Sequence, residues 1–206
     1  MIELVRTGPE SGPGAIALAH GAGAGMCSPF MAAFAEGLAE RGITVYRFEF
    51  PYMQEMTASG RRRPPDREPV LRQCWVEVVG RLRGRPLVIG GKSLGGRIAS
   101  MVADESGVSG LVCLGYPFHP PGRPDRLRTA HLLTLRTPAL IGQGTRDPFG
   151  SLEEVNNYGL PSTIAVQWLT DGNHSLEPRR ASGRTAQDNW NEAMDRIAGF
   201  AHAVWR

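Results

Sequence analysis

The sequence predicts an α/β fold built on a doubly wound, mostly parallel sheet. Short apolar runs alternate with longer stretches of helical periodicity, which is the order expected when helices join parallel strands. The runs also lack the strict apolar/polar alternation of a half-exposed sheet, so helices should cover both faces. The predicted strands lie at residues 15–19, 43–48, 87–89, 111–114, 139–141 and 164–168.

Helices are predicted between these strands and at the end of the chain. Ser28 can cap the first helix, with Pro29 at its first position. A second helix is predicted at residues 69–82, and apolar residues at helical spacing follow residue 93. The last helix should begin near Thr185, a suitable cap, and carries one apolar stripe.

Two segments interrupt the alternation and are predicted to be irregular loops. They are residues 51–68, which contain Arg61-Arg62-Arg63, and the proline-rich residues 116–129. Both follow strands, so both are expected to rim a site at the carboxyl edge of the sheet. The arginine run either recognises an anionic substrate or, more commonly for such runs, forms a solvated loop. Neither segment is long enough for a lid domain, and residues 1–206 are expected to form one domain.

Composition excludes several classes of protein. Of the 206 residues, 41% are hydrophobic and 21% charged, which is ordinary for a globular domain. The net charge of +3 does not predict nucleic-acid binding. The first residues lack the pattern of a signal peptide, and no apolar run is long enough to span a membrane, so we expect a cytoplasmic protein. Three scattered cysteines indicate no disulfide framework or metal site, and no cofactor is predicted.

A candidate nucleophile lies in Gly91-Lys92-Ser93-Leu94-Gly95. This Gly-x-Ser-x-Gly pattern is weak alone, since a serine in a glycine-rich turn can simply cap a helix. Here it follows a strand-like run and precedes a helical pattern, which is the required context. The glycines leave room for a sharp, strained turn, and the helix N-terminus favours a developing negative charge. The pattern therefore predicts Ser93 as the nucleophile.

A serine hydroxyl needs a base, and His174 is the best placed of the five histidines. It follows the strand at 164–168, on the edge where Ser93 is expected. Asp147 follows the strand at 139–141 and is predicted to orient the imidazole, although an aspartate there also suits a turn. Asp171 is the rival acid, but it lies only three residues from His174 and is less well placed to align it.

The segment His20 to Met26 is predicted to supply part of an oxyanion hole. Its glycines allow the backbone to approach a substrate closely. We assign the two donors to the backbone N–H groups of Ala22 and Leu94, with Gly23 as the alternative to Ala22. The segment has neither the Lys-Ser/Thr of a P-loop nor the Gly-x-Gly-x-x-Gly spacing of a dinucleotide loop. His20 is expected to anchor the loop.

These motifs together resemble the α/β-hydrolase superfamily over nearly the whole chain. The serine, aspartate and histidine follow one another in the order of that superfamily, and not of chymotrypsin-like or subtilisin-like enzymes. Phe50-Pro51-Tyr52-Met53, the run from Gly90 to Arg97 and Gly115-Tyr116-Pro117-Phe118-His119-Pro120 resemble a small, lidless, dienelactone-hydrolase-like branch, which includes hydrolase-like domains of chromatin-associated proteins. Dienelactone hydrolases carry a cysteine nucleophile where this chain has Ser93, so the resemblance does not transfer their substrate.

The resemblance and the motifs predict a serine hydrolase whose partner is a small-molecule acyl substrate, either an ester or a thioester. Acyl transfer to an alcohol, or peroxyacid formation, is an alternative reaction of the same residues. A non-catalytic binding or scaffold domain is the alternative of another class, because a fold does not by itself imply activity. The complete set of serine, histidine and aspartate favours the hydrolase.

Overall fold

A computed structural model describes residues 2–206 and contains seven strands. They are β1 (Val5–Thr7), β2 (Ala15–Ala19), β3 (Thr44–Phe48), β4 (Leu87–Lys92), β5 (Gly110–Leu114), β6 (Ala139–Gly144) and β7 (Ile164–Leu169). They form one sheet in the order β1-β3-β2-β4-β5-β6-β7. Strand β1 pairs with β3 antiparallel, and all other neighbours are parallel. The prediction of a mostly parallel sheet is confirmed.

The described residues form six α-helices, which lie between or after the strands. They are α1 (Pro29–Glu40), α2 (Pro51–Ser59), α3 (Glu68–Arg81), α4 (Leu94–Ser106), α5 (Leu152–Val155) and α6 (Ala186–Val204). Helices α1 and α6 share one hydrophobic cluster with one face of the sheet, and α2, α3 and α4 share the cluster on the other. The sheet is therefore doubly wound, as predicted, and the described residues include no separate lid domain.

The two hydrophobic clusters explain why the strands show no simple alternation. Successive residues of β2 point to opposite faces, so Ile16 and Leu18 belong to the cluster of α1 and α6, while Ala17 and Ala19 belong to that of α3 and α4. All of β2 is buried, because both faces are covered by helices. The side chains of Ala17 and Ala19 are small, so α4 can pack close to the backbone of β2 on this face.

The segment at residues 51–68 was predicted to be irregular, and this is wrong for its first half. Helix α2 occupies Pro51–Ser59, with Pro51 in its first turn and Gly60 ending it in the left-handed conformation at φ 67°. Both residues are typical of helix ends, but the short stretch between them has no clear apolar stripe. Strand β1 was also not predicted, since three residues carry too little pattern. Residues 116–129 form an irregular loop, as predicted.

The predicted caps are confirmed at one helix and not at another. Thr185 accepts a hydrogen bond from the backbone of Asp188, whose side chain bonds back to Thr185, so α6 begins with a capping box. Ser28 lies at the N-cap of α1, but its side chain makes no capping hydrogen bond. Pro29, which has no N–H to satisfy, supplies the helical φ at that end instead.

Two glycines allow β4 and α4 to approach the backbone of β2. A Cβ added at Gly91 or at Gly95 would collide with the carbonyl oxygen of Ala19. Ala19 pairs with Gly91 in the sheet, so the three residues form one tightly packed layer at the carboxyl edge. The small residues predicted around Ser93 are therefore required by the neighbouring strand.

We expect Gly95→Ala to lower the free energy of unfolding by about 1–3 kcal/mol, because the new methyl group meets rigid backbone atoms. Gly199→Ala in α6 is the matched control. Its Cβ would have no neighbour within 4 Å, so it should raise the free energy of unfolding by about 0.5–1 kcal/mol. Urea unfolding measures both, and equal effects of the two substitutions would contradict the packing described here.

Candidate active site

Ser93 lies at the turn between β4 and α4, in a strained conformation. Its backbone has φ 50° and ψ −112°, a positive φ that few residues other than glycine adopt. The Ser93 N–H donates to the carbonyl of Leu114, 3.0 Å away, which ties the turn to the end of β5. The strain predicted from the glycine-flanked serine is present, at the N-cap position of α4.

Ser93, His174 and Asp147 form one continuous chain of hydrogen bonds. The distance between Ser93 Oγ and His174 Nε2 is 2.8 Å, and that between His174 Nδ1 and Asp147 Oδ2 is also 2.8 Å. With Nδ1 donating to the carboxylate, Nε2 is left as an acceptor for the serine hydroxyl. The sheet thus brings together three residues that lie 81 and 27 positions apart in the chain.

Asp147 is fully buried and accepts hydrogen bonds on both of its oxygens. Oδ1 accepts from the backbone N–H of Phe149 at 2.9 Å, which is the turn expected of an aspartate at this position. Oδ2 accepts from His174 and from the side-chain amide of Gln143, 2.9 Å away. Asp147 therefore stabilises the turn through one carboxylate oxygen and pairs with His174 through the other.

Gln143 is a site residue that the sequence analysis missed. It is fully buried near the end of β6, where its Oε1 accepts from the Tyr116 N–H at 2.7 Å. Its Nε2 lies 3.2 Å from the Tyr116 carbonyl and 3.0 Å from that of Gly150, besides its bond to Asp147. A glutamine inside an apolar strand, four residues before a candidate acid, was the available signal.

The loop that carries His174 is held by the start of α6. Asn189 is fully buried and donates to the carbonyls of Thr170 and Leu176, at 3.0 and 2.8 Å. Trp190 Nε1 donates to the Ser175 carbonyl at 3.0 Å. Leu176 has a φ of 63°, so the loop is strained and depends on these contacts.

The surroundings of His174 lower its pKa below the ordinary value. Burial is the largest cause, because it disfavours the charged imidazolium, and the positive charge of Lys92 acts in the same direction. The hydrogen bond to Asp147 opposes both. The ring of Phe149 stacks on the imidazole with 4.1 Å between centroids. The imidazole is consequently neutral, and able to accept a proton, at neutral pH.

Asp171, the rival acid, does not contact His174. Its carboxylate pairs with Arg146 and Arg179, and the hydrogen bonds from Arg179 hold the pKa of Asp171 down at about 2. Asp171 also adopts a positive φ of 55°. Asp171 therefore stabilises the loop through its arginine partners, and Asp147 is the acid that contacts the imidazole.

The backbone N–H groups of Ala22 and Leu94 have no acceptor among residues 2–206, and Ala22 lines the same cavity as Ser93. Leu94 begins α4, where the N–H has no partner within the helix. Ala22 lies in the loop after β2, which is anchored from below by Tyr52 and His20. The His20 imidazole accepts from the Phe50 N–H at 3.1 Å and its Nδ1 lies 2.7 Å from the Gly21 carbonyl, so it holds the loop as expected.

A cavity of about 490 Å³ opens onto Ser93 and His174. The loop after β2 forms one wall, and the start of α1 and Trp190 of α6 form an apolar wall opposite. Polar groups at the cavity include Lys92 and Glu177. A concave, mostly apolar space with few polar groups is typical of a site for a small organic molecule.

The loops at 51–68 and 116–129 were expected to rim the site, and this is wrong for the cavity at Ser93, since neither contributes a lining residue. Arg63 pairs instead with Glu55 and Asp66, and Arg61 and Arg62 are exposed.

Residues 2–206 include no group of three or more His, Cys, Asp or Glu side chains arranged to hold a metal ion. None of the helices they form has the length and apolar character needed to cross a membrane.

Comparison with solved structures finds the same fold in several hydrolases. An α/β serine hydrolase homologue from Coxiella burnetii is 18% identical, with a TM-score of 0.70, covering 95% of this chain and 91% of its own. A lidless α/β serine hydrolase from Xanthomonas campestris is 17% identical, with a TM-score of 0.66 and coverage of 97% and 89%. A dienelactone hydrolase from Anabaena variabilis is 19% identical, with a TM-score of 0.68 and coverage of 97% and 88%.

At these identities the structural likeness establishes the fold alone, and the sequence match to a family goes further. A family model described as an alpha/beta hydrolase domain matches residues 13–202, which include the strained turn at Ser93 and the residues hydrogen-bonded to it. This match spans nearly all of the chain. The protein belongs to the alpha/beta hydrolase family.

Proposed function

We propose that this protein is a serine hydrolase that cleaves a small ester or thioester through an acyl-enzyme. The observation that carries the proposal is the hydrogen-bonded chain from Ser93 through His174 to Asp147, with both distances at 2.8 Å, whose serine and histidine line an apolar cavity. Nucleophile, base and orienting acid have the geometry that acyl transfer requires. The family and the serine hydrolases among the similar structures support the same reaction class.

In the proposed reaction, His174 Nε2 takes the proton of Ser93 as the hydroxyl oxygen attacks the carbonyl carbon. The carbonyl oxygen becomes an oxyanion, which the N–H groups of Ala22 and Leu94 and the N-terminus of α4 would stabilise. The carbonyl re-forms as the bond to the leaving oxygen or sulfur breaks, and the imidazolium gives that atom its proton, so that an alcohol or thiol departs. Water repeats the sequence on the acyl-enzyme and releases the acid. Asp147 keeps Nδ1 protonated and stabilises the imidazolium without taking the proton itself.

The cavity supports a small acyl substrate. Its volume of about 490 Å³ lies within the range of pockets for small organic molecules. Phe30, Met31 and Trp190 present apolar surface close to the nucleophile, which suits an acyl chain or an aromatic leaving group.

A fluorophosphonate probe should modify Ser93, and Ser93→Ala should abolish the labelling, because Ser93 combines a hydrogen-bonded base with unpaired N–H donors. Intact-mass analysis measures the labelling. Ser100→Ala is the matched control, since Ser100 Oγ also lies 2.8 Å from an imidazole nitrogen, that of His131, but is buried outside the cavity. Ser100→Ala should label like the wild type, and labelling of folded Ser93→Ala would contradict the proposal.

Asp147→Asn should lower kcat for a short aryl ester by about 10⁴-fold, because an amide would favour the wrong imidazole tautomer. Asp171→Asn should lower it no more than a few-fold, since Asp171 pairs with arginines and not with His174. Steady-state kinetics of the two variants decide which acid is used. A larger loss of kcat in Asp171→Asn would mean that Asp171, and not Asp147, orients His174.

Gln143→Leu should lower kcat by about 10- to 100-fold with little change in KM, because Asp147 would lose a fixed partner and the imidazole its alignment, while the cavity walls stay intact. Gln167→Leu on β7, the neighbouring strand, is the control, since the side-chain amide of Gln167 donates to the Glu192 carbonyl on α6 and, within residues 2–206, makes no hydrogen bond to Asp147 or His174. Its kcat should stay near that of the wild type. Equal losses of kcat in the two variants would mean that Gln143 supports the fold in general and has no specific effect on Asp147.

A further inference from the structure

Lys92 is a polar residue at the cavity whose role the proposed reaction does not explain. It precedes Ser93 directly and is the only lysine among the 23 Lys and Arg residues of the chain. Its side chain passes the loop after β2, where a Cβ on Gly21 would lie 3.4 Å from Lys92 Cγ. It lines the cavity, with its ammonium 5.3 Å from the centre of the Phe30 ring of α1.

The ammonium of Lys92 connects the turn of the nucleophile to the loop of the base. It donates a hydrogen bond to the backbone carbonyl of His174, across 82 positions of the chain. That carbonyl accepts no other hydrogen bond from residues 2–206. The contacts from Asn189 and Trp190 hold the loop at Thr170, Ser175 and Leu176. Within the loop, the Ser175 N–H donates to Asn173 Oδ1. Lys92 adds the hydrogen bond at the His174 carbonyl itself.

The same ammonium is close to the imidazole ring. A Cβ added at Gly115 would lie 2.9 Å from Lys92 Nζ and 3.2 Å from His174 Nδ1, so the two nitrogens border the same small space. Gly115 has a φ of 65°, and the absence of a side chain there keeps this space open. At such a separation in a partly buried site, one positive charge acts directly on the protonation of the other group.

The charged groups around Lys92 leave it without a partner of opposite sign in contact. Asp147 and Glu177 attract its charge from a distance, but within residues 2–206 its ammonium forms no ion pair with a carboxylate. Burial is the main influence and lowers the pKa of Lys92 to about 8. The group that it faces, His174, has its own pKa lowered by burial and by Lys92.

We propose that Lys92 is a positioning residue for this reaction: its hydrogen bond holds His174 against Ser93, and its charge keeps the imidazole unprotonated in the resting protein. The inference rests on the proposed serine hydrolase function. A compact ammonium fits the narrow space between Gly21 and Gly115 and carries its charge on a single atom. The broader guanidinium, used at every other basic position in the chain, spreads its charge over a planar fork.

The direction of the pH effect follows from these charges. His174 acts as a base only when it is neutral, so kcat/KM falls as the pH drops through the pKa of His174. That pKa is lowered in the folded protein, so the acid limb of the wild type should lie below pH 6.5. Removing the positive charge of Lys92 removes one cause of the lowering, and the acid limb should therefore move to higher pH.

Lys92→Met should raise the midpoint of the acid limb of kcat/KM by about 0.5 pH unit or more, a threefold or larger change in the proton affinity of the imidazole. At the pH optimum its kcat should fall about tenfold, because the His174 carbonyl loses its restraint. Lys92→Arg keeps the positive charge near the imidazole, so its acid limb should stay near that of the wild type, while its broader guanidinium should still lower kcat. Arg123→Met, exposed on the 116–129 loop, is the control for net charge and should change neither quantity.

A second measurement does not need turnover. Nitrogen-15 NMR of the histidines gives the pKa of His174 in Ser93→Ala and in Ser93→Ala/Lys92→Met, with the signal assigned by its loss in His174→Gln. The pKa should be higher in the double variant. An acid limb and an imidazole pKa that are unchanged or lower without Lys92 would overturn the inference. Absence of labelling and of ester turnover in the wild type would instead contradict the proposed function, while the NMR result would still report the effect of Lys92.

Discussion

The packing of three backbone segments at the carboxyl edge of the sheet determines where the site can form. Ala19 of β2 touches the backbone of β4 at Gly91 and of α4 at Gly95, with no room for a side chain at either glycine. This contact forces the chain to turn within one residue, and that residue is Ser93, at φ 50°. The strain is tolerated because the strand, the helix and the hydrogen bond to Leu114 hold the turn from three sides. The unpaired N–H of Leu94, in the first turn of α4, is a consequence of the same turn.

Two buried amides then hold the loops that face this turn. Gln143 joins Asp147 to the backbone on both sides of β6, and Asn189 joins two carbonyls of the loop around His174. Each lies at full burial, where an unpaired polar group is costly, so each is kept in one orientation by its partners. The two loops are thereby fixed in position relative to the sheet and to α6. The carboxylate and the imidazole can meet at 2.8 Å because both supports are rigid.

The protonation of the imidazole is a balance of opposing effects around one ring. Burial and the charge of Lys92 favour the neutral form, and the bond to Asp147 favours the charged form. The net result is a pKa below the ordinary value, which suits a base at neutral pH. Asp171 does not disturb this balance through contact, because Arg146 and Arg179 occupy its carboxylate. The charge of Asp171, three residues from His174, is thus taken up by its own arginine partners.

The sequence by itself determined the parallel sheet, the start of α1 at Pro29, the cap of α6 at Thr185 and the turn at Ser93, since each depends on residues within a few positions of one another. It also placed His174 and Asp147 on the correct edge, because parallel strands end on the same side. Strand β1 and helix α2 were missed, since short elements carry little periodicity. Only the tertiary structure decided that Gln143 supports Asp147, that Lys92 reaches the His174 carbonyl 82 positions away, and that residues 51–68 and 116–129 lie outside the cavity. Such contacts join side chains that are distant in the sequence and meet only after the sheet has assembled. No local pattern in the chain shows which of these side chains will touch.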